Sequence, residues 1–336
     1  MRRVVHFAIV AVLATEALML AQNGDASKVL ADVRHALGAD KTDSVKALSA
    51  IGRSTRTRPD GTSAESEFEM SVELPDKYMK RDVVVAMGPT TIYRNSGFNG
   101  DGLINETDVP PALSSGGNVR IMMAPGMTPA GANTTPEQIA EAKRKTLIGY
   151  KQDFTRLSLG MFGSGSNTYP VTFEYAGHAE SADGTADVLD VKGDGGFAAK
   201  LFVDANTHLP LMLSWMDKEP LAMQVGPGTG RPGSGSASSS GSGGQVIQFN
   251  NGGGARPSPE EMDRMQKDMA DRMKEAEAKR RTVEFRMFYG DYRTVDGVKL
   301  PMHIQRMVDG APTEELTFDK IKVNPKIDPK KFTVSK

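Results

Sequence analysis

The clearest pattern in the chain is an alternation of apolar and polar residues near its end, in the segment 288–310. Its apolar residues take every second position, at Val298, Leu300, Met302 and Ile304. A period of two is typical of a β-strand that buries one face. A second alternating run starts at Val283, and the turn between the runs ends in Gly297, which can adopt a positive φ. The pattern therefore predicts a β-hairpin.

Alternation of this kind recurs along most of the chain, in about ten segments. In the segment 65–74 the apolar residues share one face and four glutamates share the other, which is typical of an antiparallel sheet. In the last segment the apolar phase slips near Asp319 and Lys320, which predicts a β-bulge. The other strands are predicted at 50–58, 78–86, 90–98, 169–178, 186–192, 197–204, 209–216 and 283–289.

Two capped helices accompany these strands. The first begins after Asp25, a good capping residue, and ends at Gly38. The second begins at Thr135, which can form a capping box with Gln138, and its apolar residues recur every three or four positions. A sheet with one apolar face must cover that face. We therefore predict an α+β fold, with a curved antiparallel sheet and helices covering its concave apolar face.

Several segments are predicted to lie outside this sheet. Residues 1–24 combine two arginines with an apolar run, which indicates a signal peptide and an exported, periplasmic protein. A loop insertion rich in Pro, Gly and Met is predicted at 107–135. An insertion at 217–281 joins a Gly/Ser-rich linker to a charged helix. Apart from these insertions, residues 25–336 are predicted to form a single domain.

The charged helix carries methionines at helical spacing, at Met262, Met265, Met269 and Met273. Three interpretations are open for this stripe. The helix can simply pack on the body of the protein, or its thioethers can form an adaptable apolar surface for a lid or a protein partner. In an exported protein they can also collect Cu(I), a soft ion.

Composition and motifs narrow the function. A formal net charge of -1 offers no electrostatic case for nucleic acid, and the absence of cysteine excludes disulfides, thiolate metal sites and a lipid-anchored cysteine. The five histidines are isolated, and no zinc motif, Walker loop or nucleophile elbow is present. The sequence therefore predicts no enzyme, no cofactor and no metal.

The end of the chain resembles the C-terminal strands of outer-membrane lipoprotein-sorting proteins. The resemblance is carried by G-D-Y-R-T-V-D-G-V-K-L-P-M-H-I at 290–304 and by N-P-K-I-D-P-K-K-F at 324–332. The hairpin at 203–211 and the first helix fit the same family. The resemblance implies an incomplete, half-open β-barrel with helices on its concave side. It also implies that the hollow binds acyl chains of lipids or lipoproteins.

We therefore expect a periplasmic, non-catalytic, lipid- or lipoprotein-binding protein that does not span a membrane once the signal peptide is removed. The residues predicted to line its apolar hollow are Phe68, Met70, Val72, Leu147, Leu157, Leu213, Trp215 and Ile304. The alternative is an interaction or sensing module of the cell envelope on the same fold. In that case the hollow is filled, and the methionine-rich helix contacts a protein partner.

Overall fold

The computed structural model describes most of the chain outside the predicted signal peptide. The described residues are 25–58, 61–87, 90–108, 119–122, 135–182, 184–220, 236–238, 246–249 and 258–335. The predicted signal peptide at 1–24 lies outside them. So do most of the predicted loop insertion and most of the Gly/Ser-rich linker.

Two helices, α1 (Ala26–Leu37) and α3 (Pro136–Phe162), begin at the predicted capping residues, and α1 ends at Gly38 as predicted. The Asp25 carboxylate accepts a 2.8 Å hydrogen bond from the backbone N–H of Ser27 at the start of α1. At the start of α3, Thr135 and Gln138 exchange the two hydrogen bonds of a capping box, 3.0 and 3.3 Å long. The helices in the described residues are α1 (Ala26–Leu37), α2 (Asp40–Asp43), α3 (Pro136–Phe162) and α4 (Pro259–Ala278).

Twelve strands form one antiparallel sheet, in the order β5-β4-β3-β2-β1-β15-β14-β13-β10-β9-β8-β7. The first half of the sheet consists of β1 (Ala47–Thr57), β2 (Ser63–Glu73), β3 (Lys77–Met87), β4 (Thr90–Asn99) and β5 (Gly102–Asp108). The second half consists of β7 (Val171–Ser181), β8 (Gly184–Gly193), β9 (Ala198–Asp204), β10 (Pro210–Lys218), β13 (Thr282–Val295), β14 (Val298–Val308) and β15 (Ala311–Val323). The sheet is open and curved, so the predicted fold class is confirmed.

The two halves of the sheet meet where β1 pairs with β15, so the start of the domain is hydrogen-bonded to its end. Ile51 pairs with Lys320, and the next pair is Gly52 with Phe318. Asp319 is therefore the extra residue of a β-bulge, as the slip in the apolar phase predicted.

Helices α1 and α3 cover one face of this sheet, which we call the inner face. Helix α1 contacts β7 and β14, and α3 contacts β4, β5, β10 and β14. Most of the buried apolar side chains form one continuous cluster between these helices and the strands. Burial of this surface drives the sheet and helices together.

The opposite, outer face is covered at one place by the end of the chain. A short 3₁₀ turn, Pro329–Phe332, places Phe332 against the outer face of β3. The buried cluster there contains Ala47, Met79, Ile104, Ile327 and Phe332.

Three short strands lie in segments that were predicted to lack regular structure. They are β6 (Val119–Met122), β11 (Ser236–Ser238) and β12 (Val246–Phe249). They pair in the order β11-β12-β6, so the predicted loop insertion and the predicted linker are hydrogen-bonded to each other. Among the helices described, none is long and apolar enough to cross a membrane.

Candidate functional site

The residues predicted to line a hollow lie together on the inner face and on α3. Seven of the eight are buried, with exposed fractions between 0 and 9%, and Leu147 is half-buried against the same cluster. The buried residues are Phe68, Met70, Val72, Leu157, Leu213, Trp215 and Ile304. Two small clefts lined by described residues, of about 210 and 170 Å³, contain none of the eight. A role of the eight in ligand binding stays a prediction.

Aromatic rings fill the space between α3 and the strands. Phe154 of α3 stacks on Tyr78 of β3 at 4.9 Å and meets Phe98 of β4 edge-on at 5.6 Å. Trp215 of β10 stacks on Phe285 of β13 at 5.4 Å. These geometries are favourable for aromatic pairs, so the rings hold the helix against an apolar surface.

Two tyrosines of β13 attach the C-terminal half of α3 to the sheet. The Tyr289 hydroxyl donates a 2.7 Å hydrogen bond to the main-chain carbonyl of Arg156. The Tyr292 hydroxyl is 3.0 Å from the carbonyl oxygen of Gly160 and 2.8 Å from that of Pro210. Residues 154–162 of α3 are buried, whereas 136–149 are exposed or half-buried. Helix α3 therefore has one firmly held end and one more exposed end.

A cluster of charged side chains lies on the inner face where the apolar surface ends. Glu314 of β15 is at its centre, with its Oε1 3.3 Å from Arg56 Nε and 3.4 Å from Lys80 Nζ. Ser54 donates a 3.1 Å hydrogen bond to the same oxygen. The whole cluster, which we call the inner charged cluster, consists of Arg56, Lys80, Asp82, Asp153, Arg156, Arg306 and Glu314.

The electrostatics of this cluster favour its ionised form. Burial alone would raise the pKa of Glu314, but Lys80, Arg306 and Arg56 together hold that pKa well below its usual range. Burial would lower the pKa of Arg56, and the carboxylates of Asp82 and Glu314 raise it instead. Glu314 and Arg56 are therefore both charged at physiological pH.

Arg156 connects the inner charged cluster to the aromatic rings. Its guanidinium lies 4.4 Å from the ring centre of Trp215 and 5.1 Å from that of Phe197, and it donates a 3.0 Å hydrogen bond to Asp153. A guanidinium between aromatic faces is stabilised by cation–π attraction. The helix thus contributes both charge and apolar contacts at this end of the inner face.

The sequence interpretation did not identify the inner charged cluster, although a signal for it is present. Lys80 and Asp82 continue the alternation that places Tyr78 inward, and Arg306 follows Ile304 in the same way. If the alternation of each strand is continued for one or two pairs of residues beyond its apolar part, these charged residues fall on inward-facing positions. Arg56, which lies on the neighbouring strand β1, likewise faces inward and pairs with Asp82 and Glu314.

Other sequence candidates lie away from the inner face. His303 is on the outer face near Glu315. Within the described ranges, no group of three or more His, Cys, Asp or Glu side chains could hold a metal. Met262, Met265, Met269 and Met273 lie on α4, but their side chains are outside the described part of the structure. The interpretations of the methionine stripe therefore stay predictions.

The described fold is the half-barrel that the resemblance implied, an open, curved antiparallel sheet with helices across one face. No protein-family model and no curated protein matches the sequence.

Several solved structures are similar to the chain at low sequence identity. A LolA superfamily protein from Nitrosomonas europaea is 9% identical with a TM-score of 0.42, and the match covers 92% of this chain and 98% of that one. A DUF1329 family protein from Desulfovibrio piger is 8% identical with a TM-score of 0.41, covering 91% and 96%. A domain assigned to outer-membrane lipoprotein-sorting proteins, from Vibrio parahaemolyticus, is 9% identical with a TM-score of 0.41, covering 92% and 97%. The likeness concerns the fold alone.

Proposed function

We propose that this is a periplasmic binding protein that holds an acyl chain of a lipid or lipoprotein between its inner face and α3, without catalysis. The observation that carries this proposal is the continuous apolar surface of the inner face, which ends in the inner charged cluster. An apolar surface with a charged end matches a molecule that has an apolar tail and a polar head.

In this proposal the described arrangement, in which side chains fill the space between the inner face and α3, is a closed form. An acyl chain would occupy space now filled by side chains such as Leu157 and Trp215, so α3 has to move outward to admit it. The exposed first half of α3 can move at lower cost, because fewer of its side chains are buried. Because the acyl chain takes the place of the displaced side chains, the apolar surface of the inner face stays covered.

The first test is native mass spectrometry of the protein purified from its own periplasm, followed by lipid extraction. Phospholipid or acylated peptide at close to one molecule per protein would support the proposal. A protein that is empty and also fails to bind fluorescent fatty-acid probes would overturn it.

Substitutions can then locate the position at which the acyl chain binds. Leu147→Glu puts a charge on the half-buried part of α3 and Leu157→Glu on its buried part, so both should abolish acyl-chain binding. Leu211→Glu is the matched control, because Leu211 is 39% exposed. Folding of each variant is checked by circular dichroism. Unchanged binding by a folded Leu147→Glu variant would contradict this position of the ligand.

A second candidate function is an envelope interaction module in which the inner face is simply the core of the protein. The low exposure of the seven buried inner residues favours this candidate. In that case α4, with its methionine stripe, would contact a protein partner. Deleting α4 would then abolish capture of the partner, whereas acyl-chain binding would be absent before and after the deletion.

A further inference from the structure

Arg306 of β14 has an unusual position in the inner charged cluster. Its guanidinium carries five N–H donors, and the donor on Nε is fully buried without a hydrogen-bond partner. The nearest carboxylate oxygens are those of Glu314, 3.5 Å from Nε, and of Asp153, 3.7 Å from Nη1. A buried donor without a partner is costly, and a bound acceptor would remove that cost.

The charge around Arg306 favours an anion. The inner charged cluster contains four cations and three carboxylates, so it has an excess of one positive charge. Glu314 already pairs with Arg56 and Lys80. The side chain of Arg306 is 29% exposed, so a ligand can reach it from solvent.

Arg306 also stands at the boundary between the charged and the apolar parts of the inner face. On its strand, the preceding inward residue is Ile304, which is fully buried in the apolar cluster. Opposite Arg306 on the neighbouring strand is Met287, which is also fully buried. A ligand whose head contacts Arg306 therefore has apolar surface directly beside it for its tail.

We infer that Arg306 binds the anionic head group, a carboxylate or a phosphate, of an amphiphile whose acyl chain lies on the inner face. The inference rests on the proposed function and adds the chemical class of the ligand. A guanidinium presents two parallel N–H donors that match the oxygens of carboxylate and phosphate. Neutral amphiphiles of the same length would bind more weakly, because they leave these donors unused.

The test compares 11-(dansylamino)undecanoic acid with its methyl ester, which has the same apolar part but no charge. The full-length mature protein should bind the acid about 10-fold or more tightly than the ester, as measured by dansyl fluorescence. Arg306→Gln should bind both probes with the affinity of the wild type for the ester. Arg306→Lys keeps the charge without the paired donors and should be intermediate. Arg53→Gln is the control, because Arg53 is a half-exposed residue of the outer face.

Each outcome decides the inference. Equal binding of acid and ester by the wild type would overturn it while leaving the proposed function in place, and this comparison needs no variant to fold. Binding of neither probe would overturn both. If inorganic phosphate displaced the acid and the amphiphiles did not, the site would bind a free anion, and the inference that its ligand is an amphiphile would be overturned. Displacement by lysophosphatidate and by laurate would support the inference, and their ratio would distinguish a phosphate from a carboxylate head.

Discussion

Tyr289 of the sheet donates a hydrogen bond of 2.7 Å to the main-chain carbonyl of Arg156 in α3. The same tyrosine ring lies against Gly160, one turn further along the helix. This contact joins the covering helix to the sheet at a fully buried point, and burial raises the pKa of the Tyr289 hydroxyl so that it stays a donor. The contact therefore holds the C-terminal half of α3 on the sheet.

Removing the Tyr289 hydroxyl tests whether movement of α3 admits the ligand. Tyr289→Phe should lower the free energy of unfolding by about 0.5–1.5 kcal/mol, because one buried hydrogen bond is lost while the ring remains. Because Leu157, whose space the acyl chain would take, lies in the half of α3 that Tyr289 holds, the variant should also bind a dansyl fatty acid faster in stopped flow. Tyr93→Phe, on the other side of the sheet, is the control. An unchanged binding rate in a destabilised Tyr289→Phe variant would show that α3 does not open at this end.

The two glycines inside α3 should respond to alanine in opposite ways. At Gly149 an added Cβ meets nothing within 4 Å, so Gly149→Ala should stabilise the protein by about 0.5–1 kcal/mol through helix propensity. At Gly160 the added Cβ would overlap the ring of Tyr289, so Gly160→Ala should destabilise it by about 1–3 kcal/mol. Urea denaturation measures both changes. Combining Gly160→Ala with Tyr289→Ala should recover part of the loss, and strict additivity would contradict the assigned clash.

Local signals in the sequence were sufficient for much of the fold. Asp25 and Thr135 predicted the helix starts because capping depends on neighbouring residues, and the apolar slip at Asp319 predicted the bulge. Strand β5 was missed because it starts in a turn-rich sequence and is largely polar. Its edge is held by the other end of the chain, where the Ser335 backbone N–H donates to Leu103 at 2.9 Å. A pairing over such a distance in sequence has no local signal.

Of the inner face, only the apolar part could be predicted from the sequence. Periodicity identified residues such as Phe68 and Leu213, since apolar residues in phase are expected to share one face. The inner charged cluster was missed because charged residues at strand ends are usually exposed, and only the strand pairing brings Arg56, Lys80 and Glu314 together. Arg56 and Glu314 are separated by 258 residues in the chain.

Asn324 should be important for joining the two halves of the sheet. Its side-chain oxygen accepts hydrogen bonds from the backbone N–H groups of Lys46 and Ala47, and its amide donates to the Ser44 carbonyl. Its φ of 51° is in the left-handed region, which asparagine tolerates well. Asn324→Ala should therefore cost about 1–3 kcal/mol in thermal or urea unfolding. An Asn324→Gly variant relieves the backbone strain but still lacks the hydrogen bonds of the side chain. If that variant were as stable as the wild type, the role of the side chain would be contradicted.

Glu314 should make the stability of the protein sensitive to acid. Because its folded pKa lies below the ordinary value of 4.5, the unfolded chain binds its proton first as the pH falls. The stabilisation is complete above about pH 6 and is lost progressively below 4.5. Glu314→Gln should therefore be less stable than the wild type by about 3–5 kcal/mol at pH 7, since Arg56, Lys80 and Arg306 lose their shared partner.

The difference in the free energy of unfolding between the wild type and Glu314→Gln should then shrink as the pH is lowered from 6 towards 3. Urea unfolding followed by the fluorescence of Trp215, the only tryptophan, measures it at each pH. Glu315→Gln is the matched control, because Glu315 is the next residue along the strand and its side chain is 45% exposed. That variant should stay within about 1 kcal/mol of the wild type, with the same pH profile. If Glu314→Gln lost stability with acid as steeply as the wild type, the acid sensitivity would have to arise from other carboxylates, and Glu314 would not be the centre of the inner charged cluster.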